Sequence, residues 1–330
     1  MPTLYVTEPG ARVEKEYHHL LVTLEDRVLM RVPLARVSEV VLVGPVGVTT
    51  PALLALLDTG VGLSLVSRAG QLRGRLVPPT PRNIPLRHRQ YERAQDPAFC
   101  LEVARAIVRG KLRNERTLAR RLCRSRKADP TPIEELARVL RQVDKAANME
   151  NLRGLEGTGA RAYFRVLRGA LREEWGFEKR TRRPPGDPIN ALLSLGYTLL
   201  TQNMMTALEV VGLDPYDGFF HADKYGRPAL ALDLVEEFRS VVVDSVVLTV
   251  VNKRVLSPDD FHPGPEGGVI LSRSGLRDFL ACYSARLETE VTHPAIGRRL
   301  TYRKCFEVQA RVMREVIEGR REKYLPFLAK

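Results

Sequence analysis

A chain of 330 residues is long for one compact domain and comfortable for two. Its 44% hydrophobic and 28% charged content can build cores and excludes bulk disorder, while 52 Lys and Arg against 39 Asp and Glu leave a net charge of +13. That balance excludes an ordinary acidic enzyme and points to a polyanionic partner. Cys100, Cys123, Cys282 and Cys305 form no C-x-x-C pair, which excludes a disulfide scaffold and a structural zinc site of the usual spacing.

The opening residues MPTLYVTEPG lack a basic segment followed by an apolar run, so no signal peptide is expected. The longest apolar stretches, Ala191–Leu200 and Ser240–Val251, are too short to span a bilayer, and Asp244 interrupts the second. The reading is a soluble, cytoplasmic protein with no membrane partner. A proline cluster at Pro78, Pro79, Pro81 and Pro85 divides the chain. The expected organisation is α+β: a β-strand-rich scaffold or dimerisation domain at 1–77, a Pro-rich linker at 78–86, and an all-helical catalytic domain at 87–330. Residues 1–77 carry eight Lys/Arg and seven Asp/Glu, whereas 78–330 carry 44 and 32, so the charge excess belongs to the second part.

In the first part, short runs rich in Val, Leu and Tyr predict strands at Leu4–Thr7, His19–Leu24, Val28–Val32, Val37–Leu42, Val61–Val66 and Gln71–Val77. Turn residues punctuate them, and one helix is expected at about Thr50–Thr59. In the second part, apolar periodicity predicts helices at about 83–95, 98–122, 131–146, 149–172, 188–211, 228–249, 274–290 and 300–318. Asp187-Pro188 reads as an N-cap followed by proline at the first helical position.

Along 98–122, Arg105, Arg109, Arg113, Arg116, Arg120 and Arg124 step by three or four residues, aligning guanidinium groups on one side, with Glu115 alone inside the run. Aligned like charges repel unless a partner neutralises them, and a phosphate backbone does so with release of counterions. A second cluster joins Arg161, Arg165, Arg168 and Arg172 to Arg180, Arg182 and Arg183; a third is Arg298, Arg299, Arg303 and Lys304. Arginine suits bidentate phosphate contacts, and the scarcity of interleaved aromatics favours a duplex backbone over stacked single strands. The plainer reading of each cluster is a solvated face.

The helix from 149 carries a carboxylate on its apolar side. Leu152, Leu155, Tyr163, Val166, Leu167 and Ala170 form one stripe at about 100° per residue, and Glu156 lies in its middle. Gly159 and Ala160 share the stripe and leave space above it. Such a charge is paired, protonated or metal-bound, and a buried Glu–Arg pair is the plain structural alternative. Further on, His221 stands in a Gly/Pro/Asp loop between Phe219-Phe220 and Tyr225. On the following helix Leu230, Leu234, Phe238 and Val241 form the apolar stripe, with Asp233, Glu236, Glu237 and Ser240 on the other arc. That arc is the ordinary pattern of a solvated face, but the loop can fold His221 back over it. Glu156, His221 and one carboxylate of 233–237 would then form a mixed oxygen and nitrogen set suited to Mn²⁺ or Mg²⁺.

The segments Leu152-Arg-Gly-Leu-Glu-Gly with Tyr163-Phe164, Asn190-Ala-Leu-Leu-Ser-Leu-Gly-Tyr, Gly212-Leu-Asp-Pro-Tyr, Gly218-Phe-Phe-His and Gly226-Arg-Pro-Ala-Leu-Ala-Leu-Asp-Leu-Val-Glu-Glu-Phe-Arg together resemble the CRISPR-associated integrase family, the metal-dependent DNA endonuclease of spacer acquisition. The resemblance implies metal ligands at Glu156, His221 and Glu236, with Asp233 as a supporting acid. It departs at Ala229, where many relatives have Ser. It implies a homodimer, two of which are bridged by a small adaptation protein of the same locus. It also implies DNA substrates (duplex, branched, with 3′-OH ends), whose backbone the basic clusters would grip through residues such as Arg105, Arg109, Arg113, Arg116, Arg165, Arg168, Arg182 and Arg183. Two other classes share the basic faces: a non-catalytic DNA-binding protein, and a metal-dependent RNA nuclease.

Overall fold

The computed structural model describes residues 3–329 except 69, 78–82, 127–128, 172–174, 182–183, 222–223 and 265–266. Eight strands open the chain: β1 (Thr3–Val6), β2 (Arg12–Glu16), β3 (His19–Leu24), β4 (Arg27–Pro33), β5 (Glu39–Val43), β6 (Gly47–Val48), β7 (Gly62–Val66) and β8 (Leu72–Leu76), with helix α1 (Thr50–Asp58) between β6 and β7. They form two four-stranded sheets, ordered β4-β3-β2-β6 and β1-β5-β7-β8. In the second, β1, β5 and β7 run parallel and β8 returns antiparallel.

Strand β5, Glu-Val-Val-Leu-Val, is buried along its whole length, and its alternation divides it between two cores. Val40 and Leu42 face a small core with Leu4, Val13, Leu20, Val22 and Leu56, while Val41, Val43 and Val66 join the large helical core. The sheet is therefore the wall between the two. Strand β2 was not expected from its sequence, because Arg-Val-Glu-Lys-Glu offers one buried residue, Val13; pairing with β3 and β6 on its two sides makes it a strand.

The helices are α2 (Ile84–Ala94), α3 (Pro97–Arg126), α4 (Thr131–Val143), α5 (Met149–Gly169), α6 (Pro188–Val211), α7 (Ala229–Val235), α8 (Ser245–Asn252), α9 (Arg273–Leu287) and α10 (Tyr302–Ile317). Residues 78–82 of the expected linker lie outside the described residues and 84–86 belong to α2, whose N-cap Asn83 accepts from Leu86 N at 3.3 Å. Helix α6 is buried along most of its length and lies in the large core. Asp187 caps it by accepting from Asn190 N at 2.8 Å, and Gly212 ends it at φ 91°, a left-handed conformation that favours glycine.

Two expectations need correction. The second part is not all-helical: β9 (Phe261–Pro263) pairs with β10 (Val269–Leu271), and β11 (Glu290–Thr292) with β12 (Arg299–Thr301), as two short antiparallel hairpins. Glycines at 264, 267 and 297 supply the turns that periodicity of apolar residues does not register. The expected helix over 228–249 is broken. Helix α7 stops at Val235, residues 236–238 form a turn, and a π-helical segment over Arg239–Asp244 leads into α8. Such local widening of a helix occurs frequently at functional sites.

Candidate metal and strand-transfer site

Helices α3 and α5 cross in close contact because α5 presents Gly159 to α3. A Cβ at Gly159 would lie 2.4 Å from Leu112 Cδ2, so the space expected above Glu156 is filled by Leu112. On the same turn of α3, Gly110 admits Pro326 of the C-terminal segment, whose Cβ would be 2.5 Å from an added Cβ. Lys111 lies between these two contacts, with its side chain 7% exposed. Its ammonium pairs with Glu156 Oε1 on α5 and lies 2.7 Å from Glu236 Oε2, just beyond α7. Glu156 is thus paired with lysine rather than arginine, and is half-buried.

His221 reaches the same place from the loop between α6 and α7. The ring of Phe219 packs edge-on against Phe99 of α3 at 5.3 Å, and Arg153 of α5 donates to Phe220 O at 2.8 Å. Asp233, fully buried, accepts from the backbone N–H of Phe219, Phe220 and His221 at 2.7, 3.0 and 2.9 Å. Gly218 permits this approach, since a Cβ there would lie 2.7 Å from the backbone of Leu230. Asp233 also meets His221 Nδ1 at 2.7 Å. A carboxylate already accepting three N–H donors acts as an acceptor here too, so Nδ1 donates to it and Nε2 is turned towards Glu236. Nε2 lies 3.8 Å from Glu236 Oε1. The loop does fold His221 back over the helix.

The polar arc of 233–240 is not a solvated face: Asp233, Glu236, Glu237 and Ser240 are all buried. The turn after α7 sends the two adjacent glutamates in opposite directions. Glu236 faces Lys111, His221 and Arg239, the last at 3.1 Å. Burial alone would raise its pKa, but Arg239, Lys111 and His221 outweigh it and pull it down to about 2. Burial likewise opposes the Lys111 charge, yet Glu236, Glu156 and Glu115 hold the ammonium above its ordinary value. Glu237 turns the other way and accepts from Tyr324 Oη at 2.8 Å and Phe327 N at 2.6 Å. With no cation beside it, burial pushes Glu237 up to about 8. Glu115, one turn beyond Lys111, is buried, and burial with the neighbouring Glu156 and Glu236 pushes it to about 8 despite Lys111.

The donor set fits a divalent cation. Two carboxylates and one imidazole nitrogen come from three separate elements, a cation already bridges the carboxylates, and the ring is oriented by a carboxylate behind it. Among the described residues no three His, Cys, Asp or Glu groups stand close enough to ligate one ion in this arrangement, in which Lys111 occupies the place beside Glu156 and Glu236. Lys111 and Arg239 were missed from the sequence. Lys111 did carry a signal, a charge set among the apolar Ile107, Val108 and Leu112, of the kind that singled out Glu156.

The basic faces are shorter than their spacing implied. Arg105 donates to Ala146 O and Arg109 pairs with Asp144, so both bind the end of α4. Arg165 pairs with Glu135 of α4. Arg303 donates to Glu288 at 2.9 Å and to Thr3 Oγ1 at 2.9 Å. Arg113, Arg116 and Arg120 make no ion pair among the described residues and line a cleft of about 320 Å³ with Leu328 and Ala329. Arg168 is exposed, while Arg172, Arg182 and Arg183 lie outside the described residues.

The family model described as "CRISPR associated protein Cas1" matches residues 4–285. A curated protein of Thermus thermophilus, named CRISPR-associated endonuclease Cas1 3, is 40% identical over 327 residues, covering 98% of this chain and 96% of that protein. Cas4/Cas1 fusions of Rhodospirillum rubrum and Geobacter sulfurreducens are each 39% identical, but the chain spans 56% and 60% of their lengths. Among solved structures, a Cas1 protein of Thermotoga maritima superposes with a TM-score of 0.83 at 24% identity, covering 99% of both chains. A casposase bound to integration product gives 0.88 at 24% identity, covering 99% of this chain and 93% of that one. The fold is shared with both, and the sequence matches place the chain in the Cas1 family of CRISPR-associated proteins.

Proposed function

We propose that this chain is a divalent-metal-dependent DNA endonuclease and integrase, which inserts captured DNA fragments into a CRISPR array by attack of a 3′-OH on a phosphodiester. The observation that carries the reading is that Glu156 and Glu236 share one buried ammonium, with His221 Nε2 3.8 Å from the other oxygen of Glu236. Glu156 and Glu236 would supply anionic oxygens and His221 Nε2 a nitrogen, with imidazole favouring Mn²⁺ over Mg²⁺. A metal held there supplies Lewis-acid polarisation of the phosphate and acidifies the attacking hydroxyl. Asp233 keeps the His221 ring in its donor tautomer and anchors the loop that carries it. Arg239 holds Glu236 ionised and stands over the face of Tyr197, 4.8 Å from the ring centre. No side chain in the set is a covalent nucleophile, which supports direct in-line transfer.

Arg113, Arg116, Arg120 and Arg168 are the basic residues best placed to grip a DNA backbone without reading sequence. We read residues 1–77 as the scaffold and homodimer unit. Strand β4 supports this, an edge strand with Val28, Leu29 and Met30 exposed by 58%, 49% and 48%. The small bridging partner finds support in one fold neighbour, described as a Cas6-RT-Cas1–Cas2 complex. No helix among the described residues is long and apolar enough to cross a membrane.

The test is strand transfer by purified protein on branched DNA, with RNA as control, in Mn²⁺ or Mg²⁺ and in EDTA. Glu156→Ala and His221→Ala are expected to abolish transfer while retaining DNA binding. Substantial activity in either variant, or transfer that survives EDTA, overturns the assignment.

A further inference from the structure

The lysine at the centre of the site is used by none of the steps above. Lys111 is flanked by Gly110 against Pro326 and Leu112 against Gly159, so the root of its side chain is fixed while its four methylenes carry rotatable bonds that can re-aim the ammonium. The ammonium lies between the two carboxylate oxygens that a divalent cation would take, Glu156 Oε1 and Glu236 Oε2. Without a cation between them these carboxylates, brought from different elements into a buried space, would repel. With a divalent ion between them, the same space cannot also hold the ammonium.

The fold provides a second place for it. Glu115 is one helical turn further along α3, in the i, i+4 relation that puts side chains on one face. Its carboxyl is buried, with Oε2 free of any hydrogen-bond partner among the described residues. A buried carboxyl oxygen left unpartnered is uncommon and wants a partner.

We infer that Lys111 is a built-in counter-cation: its ammonium holds Glu156 and Glu236 together in the metal-free protein and moves to Glu115 when a divalent cation takes their oxygens. This rests on the metal site proposed above. Metal binding is thereby an exchange of one cation for another rather than an addition to an empty acidic site. The metal-free protein stays folded with its ligands in place, and weakly competing cations are turned away.

The test measures Mn²⁺ binding by calorimetry on the full chain, without DNA, for wild type, Lys111→Met, Glu115→Gln and the double variant. Lys111→Met is expected to bind Mn²⁺ about tenfold more tightly, because no like charge need be displaced, and to melt at lower temperature when metal-free. Glu115→Gln is expected to bind more weakly than wild type, and this effect should vanish in the Lys111→Met background. Unchanged or weaker binding by Lys111→Met overturns the inference, as does a Glu115→Gln effect that persists without the lysine. Absence of Mn²⁺ binding by wild type itself would overturn the metal site and the exchange together. Metal binding of equal affinity in all four proteins would overturn the exchange alone.

Discussion

Asn114→Leu removes three hydrogen bonds at the point where α3, the turn after α7 and the C-terminal segment meet. Asn114 Nδ2 donates to Glu237 O at 2.7 Å and Phe327 O at 2.9 Å, and its Oδ1 accepts from Ala329 N at 2.9 Å. The residue is 1% exposed. Leucine of similar volume leaves two carbonyls and one N–H without partners, at about 1–3 kcal/mol for each buried group, hence roughly 3–9 kcal/mol in all. Asn114→Ala differs in an informative way. Asn114 borders the cleft of about 320 Å³ formed with Arg113, Arg116, Thr117, Arg120, Leu328 and Ala329, so a shorter side chain lets water reach the same groups. The alanine variant should therefore lose less, about 1–3 kcal/mol. Denaturant unfolding of both variants measures this, and limited proteolysis beyond residue 320 reports whether the C-terminal segment has come loose. A leucine variant within about 1 kcal/mol of wild type, or an alanine variant less stable than leucine, would refute the reasoning.

Gly159→Ala forces a methyl into Leu112 and should destabilise by about 1–3 kcal/mol, partly restored by Leu112→Ala in thermal melts. The two adjacent glutamates predict opposite pH responses. Glu236, held down to about 2 against an ordinary 4.5, contributes stability that is present above pH 4.5 and lost as pH falls towards 2, and Glu236→Gln should remove that acid limb. Glu237, raised to about 8, keeps its proton in the native state after the unfolded chain has lost it, so its contribution falls as pH rises from 4.5 to 8. Glu237→Gln should flatten the slope there by one proton, about 1.4 kcal/mol per pH unit, in unfolding curves taken at several pH values. Arg113→Glu with Arg120→Glu should weaken duplex binding and lower its salt slope, whereas unchanged binding would make that face a solvated surface only.

Helix α6 shows what was legible before any fold was known. Its start at Asp187-Pro188 and its end at Gly212 depend on a cap three residues away and on one left-handed glycine, both local. The strands expected at His19–Leu24 and Val61–Val66 were legible because runs rich in Val and Leu between turn residues are also local. The family's motifs likewise singled out Glu156, His221 and Glu236. The arginine spacing along α3 was read correctly as one helix, but its partners Ala146 and Asp144 lie on the far end of α4, so the free face is shorter.

The sequence by itself determined the β-first, helix-second order, the charged character of the second part, and which acidic residues stand where a solvated or apolar pattern makes them conspicuous. Tertiary structure alone decided that the arc of 233–240 is buried, that Glu236 and Glu237 face opposite ways, and that Lys111 is the cation between Glu156 and Glu236. The reason is range. Caps and periodicities are settled within a turn or two of chain. The Lys111–Glu156 pair joins residues 45 apart and Asn114 binds partners 123 and 213 residues away, so these contacts exist only once packed backbones, through Gly110, Gly159 and Gly218, come close enough for them to form.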